Sequence, residues 1–427
     1  MVPVIPLILL LFLLIMGVPV AISLAIAGSF GIYIISGFDV LLGILTASPG
    51  SSLKTYELMT IPMFILMSEF MGESGISDQI FTSIAKWTGR IKGGVGIATV
   101  VSGAVFGAVS GSSTAAAATL SRISIPAMIN HGYDKSLAAG IVAIAGTIAM
   151  LIPPSVIIVF YGLLSGVDIA GMLIAGIIPG LLVTLAVSIN IRILMRWYPG
   201  ADKELSSYSW KEKIYTLKTT GPCIFLFFLV TGLIYAGIAT PVESSAMGAL
   251  GAMFLFFKSG KLRYQNFKNL LFNTCSISAM IGLLIVCANI FGYYITLTGT
   301  TKNFVNYISS MGLSPYTILA LIIFLYFILG MFLDLISILI LTTPLTVPLM
   351  KSLGFDPIWF GIIVVLLCEV GLVTPPVGIN VFVVSKSAKI PVEIVFRGVY
   401  AHIVAVFAVV LLITIFPEIV MWLPGTM

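Results

Sequence analysis

Between Phe106 and Thr119 the chain reads FGAVSGSSTAAAAT, and Gly107, Ser110, Gly111, Ser112, Ser113 and Thr114 crowd together with no charge among them. Hydroxyls and freed backbone carbonyls are hard oxygen donors that suit a bare alkali cation, while N–H groups opening the next helix suit an anion. The stretch interrupts an apolar run. In lipid, irregular backbone survives only inside protein or around a cavity, so such a break predicts the tip of a re-entrant helix pair. Small residues also let membrane helices approach closely, and this stretch taken alone fits a packing face equally well.

Two further breaks carry comparable chemistry. Pro153-Pro154 precedes Ser155, and Thr374-Pro375-Pro376 precedes Gly378 and Asn380. A proline removes an N–H and crowds the carbonyl one turn back, so each pair leaves carbonyls free at the end of one half-helix. Ser155 and Gly378 open the following half-helices, whose N-terminal dipole ends favour a carboxylate. Four acids stand in or near apolar runs. Thr240-Pro241-Val242-Glu243 has the form of a capping box, which makes Glu243 a cap. Glu69 falls near a membrane edge, within reach of water. Asp334 opens a returning helix and suits either a cap or a cation ligand. Glu369 ends a half-helix, where the dipole disfavours an anion, and such an acid is protonated, paired or functional. No metal-ligand spacing, catalytic acid pair or Ser/His/Asp set accompanies these residues, and the expected activity is not enzymatic. His131 and His402 have no telling neighbours, and the four cysteines read as packing residues.

The elements that must hold these residues are membrane helices. Hydrophobic residues make up 59% of the 427 positions and charged residues 9%, whereas soluble chains carry about 25% charge. Met1–Met16 reads as a retained first helix. A span needs about 20 residues, so Val95–Val109 and Thr114–Met128 are too short to cross singly and form the hairpin around the first tip. The net charge of +5 calls for no nucleic-acid partner, since a one-sided distribution of Lys and Arg accounts for it.

The second half repeats the first. An offset of 222 places Pro19 on Pro241, Pro126 on Pro348, Asp134 on Asp356 and Pro153-Pro154 on Pro375-Pro376. The first tip then has a partner at Gly330-Met331-Phe332-Leu333-Asp334. The expected fold is an all-α polytopic membrane protein of two repeats. The first covers 1–198, with scaffold helices 1–72, an interfacial arm 76–92, a hairpin 94–129, a broken helix 135–166 and a helix 172–198. A cytoplasmic linker, 199–220, follows. The second covers 221–427, with scaffold 221–298, arm 301–312, hairpin 315–350, broken helix 357–388 and helix 394–423. An outer loop is expected over Gly37–Glu57. Five crossings per copy is odd, so the second copy enters the membrane inverted. That threading puts every Lys and Arg on the cytoplasmic side except Lys54, Lys302 and Lys351, as the positive-inside bias requires.

With these segments in place, the chain resembles the large membrane subunit of tripartite ATP-independent periplasmic (TRAP) transporters over essentially its whole length. FGAVSGSSTA, PAMINHGYD, LIPPS, GIIPG, TPVES, GMFLD and LVTPPVGIN carry the likeness in family order, although Val242 stands where the family usually has a hydroxyl. The resemblance implies an elevator-type ion-transporter fold in the bacterial inner membrane and sodium-driven uptake of an organic acid. Sialic acid is the preferred substrate and a C4-dicarboxylate the other. It also implies a small four-helix membrane subunit, a periplasmic substrate-binding protein and no organic cofactor. Carried over by motif, one sodium site uses Ser110, Ser112, Ser113 and Thr114 with backbone around Pro153. The other uses Gly330 and Asp334 with backbone around Thr374 and Pro376. The substrate lies against Ser113, Ser155, Thr374 and Asn380, and Glu369 is the candidate coupling acid. A self-sufficient sodium–anion symporter of the same architecture is the alternative. A polytopic lipid enzyme would need an acidic metal cluster at the membrane surface, and the sequence holds none.

Overall fold

The computed structural model describes residues 4–197, 208–260 and 263–427, without the side chains at 77, 78, 108–110, 217 and 219. Among the described residues the regular elements are all helical. Helix α1 (Ile5–Ile15) turns at Gly17 into α2 (Val20–Leu53). Residues 37–53 belong to α2 rather than to the expected outer loop. Gly37 (φ 83) bends the helix without ending it, and the apolar residues from Val40 to Ala47 carry it onward. A short 3-10 turn, Tyr56–Met59, leads into α3 (Thr60–Ser74) and the amphipathic arm α4 (Ile76–Thr88). The hairpin is α5 (Gly94–Ser110) and α6 (Ser113–Asn130), and the broken helix is α7 (Lys135–Ile148) and α8 (Val156–Ser165). Helices α9 (Ile169–Ala175) and α10 (Ile177–Leu194) complete the first half.

Of the expected linker, 199–207 lies outside the described residues, and the remainder is mostly helix. Ser209 and Glu212 form a reciprocal capping box that starts α11 (Trp210–Tyr235), so the polar stretch ends in a helix entry. Thr240 and Glu243 form a second such box at α12 (Pro241–Lys258): the Glu243 amide donates to Thr240 Oγ1 at 3.3 Å, and the Thr240 amide to Glu243 Oε2 at 2.8 Å. Helix α13 (Tyr264–Leu297), the arm α14 (Thr300–Ser310), the hairpin α15 (Pro315–Phe332) and α16 (Leu335–Ser352) follow. The second broken helix is α17 (Pro357–Gly371) and α18 (Ile379–Ala388), and α19 (Val392–Ile415) comes next. The last expected helix stops at Ile415 instead of 423, because Pro417 lacks the N–H to continue it; a short α20 (Glu418–Met421) lies beyond. Among the described residues six helices are long and apolar enough to span a membrane, or seven with the bent α11. The halves α5, α7, α8, α17 and α18 are shorter apolar pieces.

The sequence offset recurs in the helices. Adding 222 to the bounds of α6 (113–130) gives 335–352, the bounds of α16, and α5, α7 and α8 land within two residues of α15, α17 and α18. The broken helices run in opposite directions. Near the end of α8, Tyr161 Oη donates to Pro357 O at 2.9 Å at the start of α17. At the start of α7, Ser136 Oγ donates to Ile394 O at 2.8 Å, just beyond the end of α18. Gly140 and Gly398 cross here with their backbones in direct contact, so neither position admits a Cβ.

The helices pack in two groups. In one, α2 lies on α13, and α3 on α12 and α13. In the other, α7 is enclosed by α5, α6, α18 and α19, while α15 packs on α17 and α16 on α8. Helix α7 is buried from Leu137 to Ile148 and α17 from Trp359 to Gly371. Such all-round burial explains their uniformly apolar sequence better than any membrane-facing surface does.

Candidate functional site

The first tip meets the first break. Gly111 ends α5 in a left-handed conformation (φ 55) that glycine adopts freely, and its amide donates to Gly107 O at 2.9 Å. A Cβ on Gly111 would stand 3.5 Å from Pro154 O and 3.6 Å from the Val156 amide. The glycine therefore lets the tip lie directly on the break between α7 and α8. Ser112 caps α6, accepting from the Ala115 amide at 3.3 Å, and its Oγ stands 3.2 Å from Thr114 Oγ1. Ser113 is buried and Thr114 half-buried; the Ser110 side chain lies outside the described residues. Ser155 is fully buried and caps α8 through the Ile158 amide at 3.4 Å. Ser112, Ser113 and Thr114, expected to hold an ion with backbone around Pro153, thus belong to the tip that meets this break, and Ser155, expected against the substrate, opens the helix beyond it.

The second tip is looser. Gly330 lies inside α15, not in the turn, and its backbone packs on Gly371 and Cys368 of α17. The turn is only Leu333 and Asp334. Asp334 is exposed and caps α16, accepting from the Ser337 amide at 3.1 Å and from the Ser337 hydroxyl. Thr374 Oγ1 donates to Val370 O at 2.7 Å, and Pro376 is exposed. Among the described residues no hydrogen bond joins Asp334 to Thr374 or Pro376, so the structure places this set on neighbouring elements without closing it.

Between the two junctions stand buried polar side chains, Glu369 and Asn380. Glu369 is fully buried near the end of α17. The Ser113 side chain approaches its carboxyl, yet neither carboxyl oxygen stands in hydrogen-bonding geometry with any group among the described residues. Asn380 is also fully buried, and although its amide N–H donates to Leu372 O at 3.0 Å, its side-chain N and O have no partner among the described residues. Buried polar atoms without partners are uncommon, and each calls for an explanation. The sequence placed Glu369 against an unfavourable helix end; in the fold it also faces the N-terminal turn of α6, whose dipole has the opposite sign. A second buried group, unmarked in the sequence, is the hydroxyl set of the second hairpin. Tyr326 Oη stands 2.8 Å from Thr346 Oγ1 and accepts from Thr342 Oγ1 at 2.7 Å. The uniform apolarity of α15 conceals it.

The chain matches the model of the tripartite ATP-independent periplasmic transporter DctM component over residues 7–419. It belongs to this family. It is 31% identical to the C4-dicarboxylate TRAP transporter large permease protein DctM of Vibrio cholerae, with 98% of this chain and 96% of that one covered. It is 32% identical over 88% of its length to the sialic acid TRAP transporter permease protein SiaT of Haemophilus influenzae, of which it spans 61%. In fold it resembles the Alcanivorax borkumensis YdaH transporter, described as having an unusual topology, with a TM-score of 0.63 at 12% identity over 90% of this chain and 89% of that one. This TRAP large subunit is a multi-pass inner-membrane permease, not an enzyme. It serves substrate uptake together with a periplasmic binding protein, and the family implies a small membrane subunit beside it.

Proposed function

We propose that this TRAP large subunit couples uptake of an organic carboxylate to sodium, with the ions held at the two tip-and-break junctions and the substrate between them. The observation that carries this reading is the meeting of the Ser112–Thr114 tip with the break before Ser155, beside the buried Glu369 and Asn380, whose side-chain polar atoms have no partner among the described residues. Ser113, Ser155, Thr374 and Asn380 form the substrate face, and Ser110 and Pro153 supply further oxygens to the first ion. Gly330, Asp334, Thr374 and Pro376 serve the second, which requires the Asp334 carboxylate to leave its cap. Sialic acid is the first substrate to assay and a C4-dicarboxylate the second; relatives named for each are similar to this chain to nearly the same degree.

Sodium dependence tests the first junction. Removing one oxygen ligand from a desolvated site costs about 1–3 kcal/mol, so Ser112→Ala and Ser113→Ala are each expected to weaken sodium affinity roughly ten- to a hundredfold. Uptake in proteoliposomes should then saturate at correspondingly higher sodium with unchanged protein yield. An unaltered sodium curve in both variants would leave this stretch as a packing face.

The movement follows from the two packing groups. A cleft of about 530 Å³ separates α2 and α13 from α8 and α16, lined by Ser52, Asn289, Leu164 and Ile340 among others. We infer that α2, α3, α12 and α13 are the fixed frame and that the hairpins and broken helices travel together, as an elevator. Carrying ion and substrate inside one rigid unit avoids exposing charge to lipid. Spin labels at the exposed Ala115 and Phe332, with a third at Ile26 in α2, should keep the Ala115–Phe332 distance between states while both shift against Ile26. Equal changes in all three distances would replace the elevator with local gating.

A further inference from the structure

At the opposite end of α6 from its tip, α6, the start of α7 and the end of α18 enclose a recess of about 590 Å³. Arg122, Lys135 and Lys389 line it together with Ser121, Asn130 and Ser387, and among the described residues no carboxylate does. None of the three cations has a hydrogen-bond or ion-pair partner among the described residues. The neighbouring acid, Asp134, is already engaged in capping α7 through the Ser136 amide at 2.8 Å.

The backbone adds an independent sign. Lys389 is the only non-glycine among the described residues with positive φ (55). It holds the position after α18 where glycine is the usual residue. Ser385 closes the turn from both sides: its carbonyl accepts from the Ile390 amide at 3.1 Å, and its Oγ donates to Ile390 O at 2.6 Å. Glycine would meet the conformational need more easily, and only a side chain brings a charge into the recess.

Depth selects the ligand. At 1.5 Å per residue Arg122 stands about 14 Å along α6 from Ser113, and half a hydrocarbon core is about 15 Å. With the re-entrant tip set at the bilayer midplane, Arg122 stands at the level of lipid headgroups. Arginine presents a fork matched to phosphate oxygens, lysines add point charges, and basic recesses between membrane helices at the cytoplasmic surface take anionic headgroups. We propose that this recess binds the phosphate of an anionic phospholipid, which tethers the first hairpin to the second broken helix. The proposal rests on the membrane placement of α6 given above and on neither sodium coupling nor the substrate, so lipid binding can fail while the transport reading stands, and the reverse.

The test titrates the purified full-length chain with phosphatidylglycerol, and separately with phosphatidylcholine, by native mass spectrometry. Phosphatidylglycerol should bind in preference. Lys389→Gly, which suits the left-handed turn, and Arg122→Gln, at an exposed position, should each lower its affinity about fivefold and together roughly twenty-fivefold. Phosphatidylcholine binding should stay unchanged and thermal stability should not fall. Equal retention of both lipids, or unaltered phosphatidylglycerol affinity in the double variant, overturns the proposal. Displacement of the lipid by glycerol 3-phosphate at equal concentration overturns it too, because the occupant is then a soluble phosphate.

Discussion

Glu369→Gln should cut the initial rate of uptake roughly ten- to a hundredfold and flatten its dependence on sodium and pH, while folded protein is recovered in normal yield. The substitution keeps size and shape but removes the ability to hold a cation or release a proton. An ionised carboxylate with no partner cannot be maintained in a buried apolar setting. With no partner for either oxygen among the described residues, Glu369 therefore needs a positive companion, either a proton or an ion, at each stage of the cycle. Losing that companion in a desolvated site is worth about 1–3 kcal/mol, which sets the expected factor. Proteoliposome uptake over graded sodium and pH measures it, with the exposed Glu393→Gln as a variant that should behave as the parent. Parental rates and curves in Glu369→Gln would show the acid to be a neutral packing group.

Gly398→Ala should remove most of the folded protein, although it adds a single methyl group. A Cβ at Gly398 collides with the carbonyl of Ser136, and one at Gly140 collides with the backbone of Gly398. Backbone cannot rotate aside as a side chain can, so α7 and α19 must separate and break the Ser136–Ile394 hydrogen bond. Overpacking of this kind costs about 1–3 kcal/mol, and more when the obstacle is rigid. Gly72→Ala is the matched control, since nothing lies within 4 Å of a Cβ there. Size-exclusion profiles of the two variants at equal expression compare them. Similar monodisperse peaks would mean that the crossing can relax.

The hairpins and broken helices were legible in the sequence because their ends are written in residues with local physical consequences. Gly111 and Ser112 stop and restart a helix, Pro153-Pro154 and Pro375-Pro376 prevent one from continuing, and Thr240-Pro241-Val242-Glu243 builds a cap from residues within one turn. The 222-residue offset made each such signal count twice. Helix over 37–53 was missed because Gly37, Pro49 and several serines resemble a loop, while what decides the matter is packing on α13. Asp334 could be read as cap or ligand, and the fold shows the cap. The approach of Ser113 to Glu369 could not be read at all. It joins positions in different halves of the chain, and no local pattern encodes a contact at that separation. The same holds for the recess that gathers Arg122, Lys135 and Lys389, residues that in sequence were only three more charges on one membrane side.

The meeting of Ser113 with Glu369 bears on ancestry. Ser113 opens the returning helix of the first hairpin and Glu369 ends the first half of the second broken helix, so one group comes from each half of the chain. An undoubled precursor would have lacked half of this centre within any single molecule. It could have assembled one only by pairing two molecules inserted in opposite orientations, which requires a polypeptide whose surface charge gives no consistent insertion signal. Under the inverted threading read from the sequence, fusion would let each half fix its own orientation by accumulating lysines and arginines on one side. The two halves were then free to diverge, so that one tip now offers three consecutive hydroxyls and the other a single carboxylate.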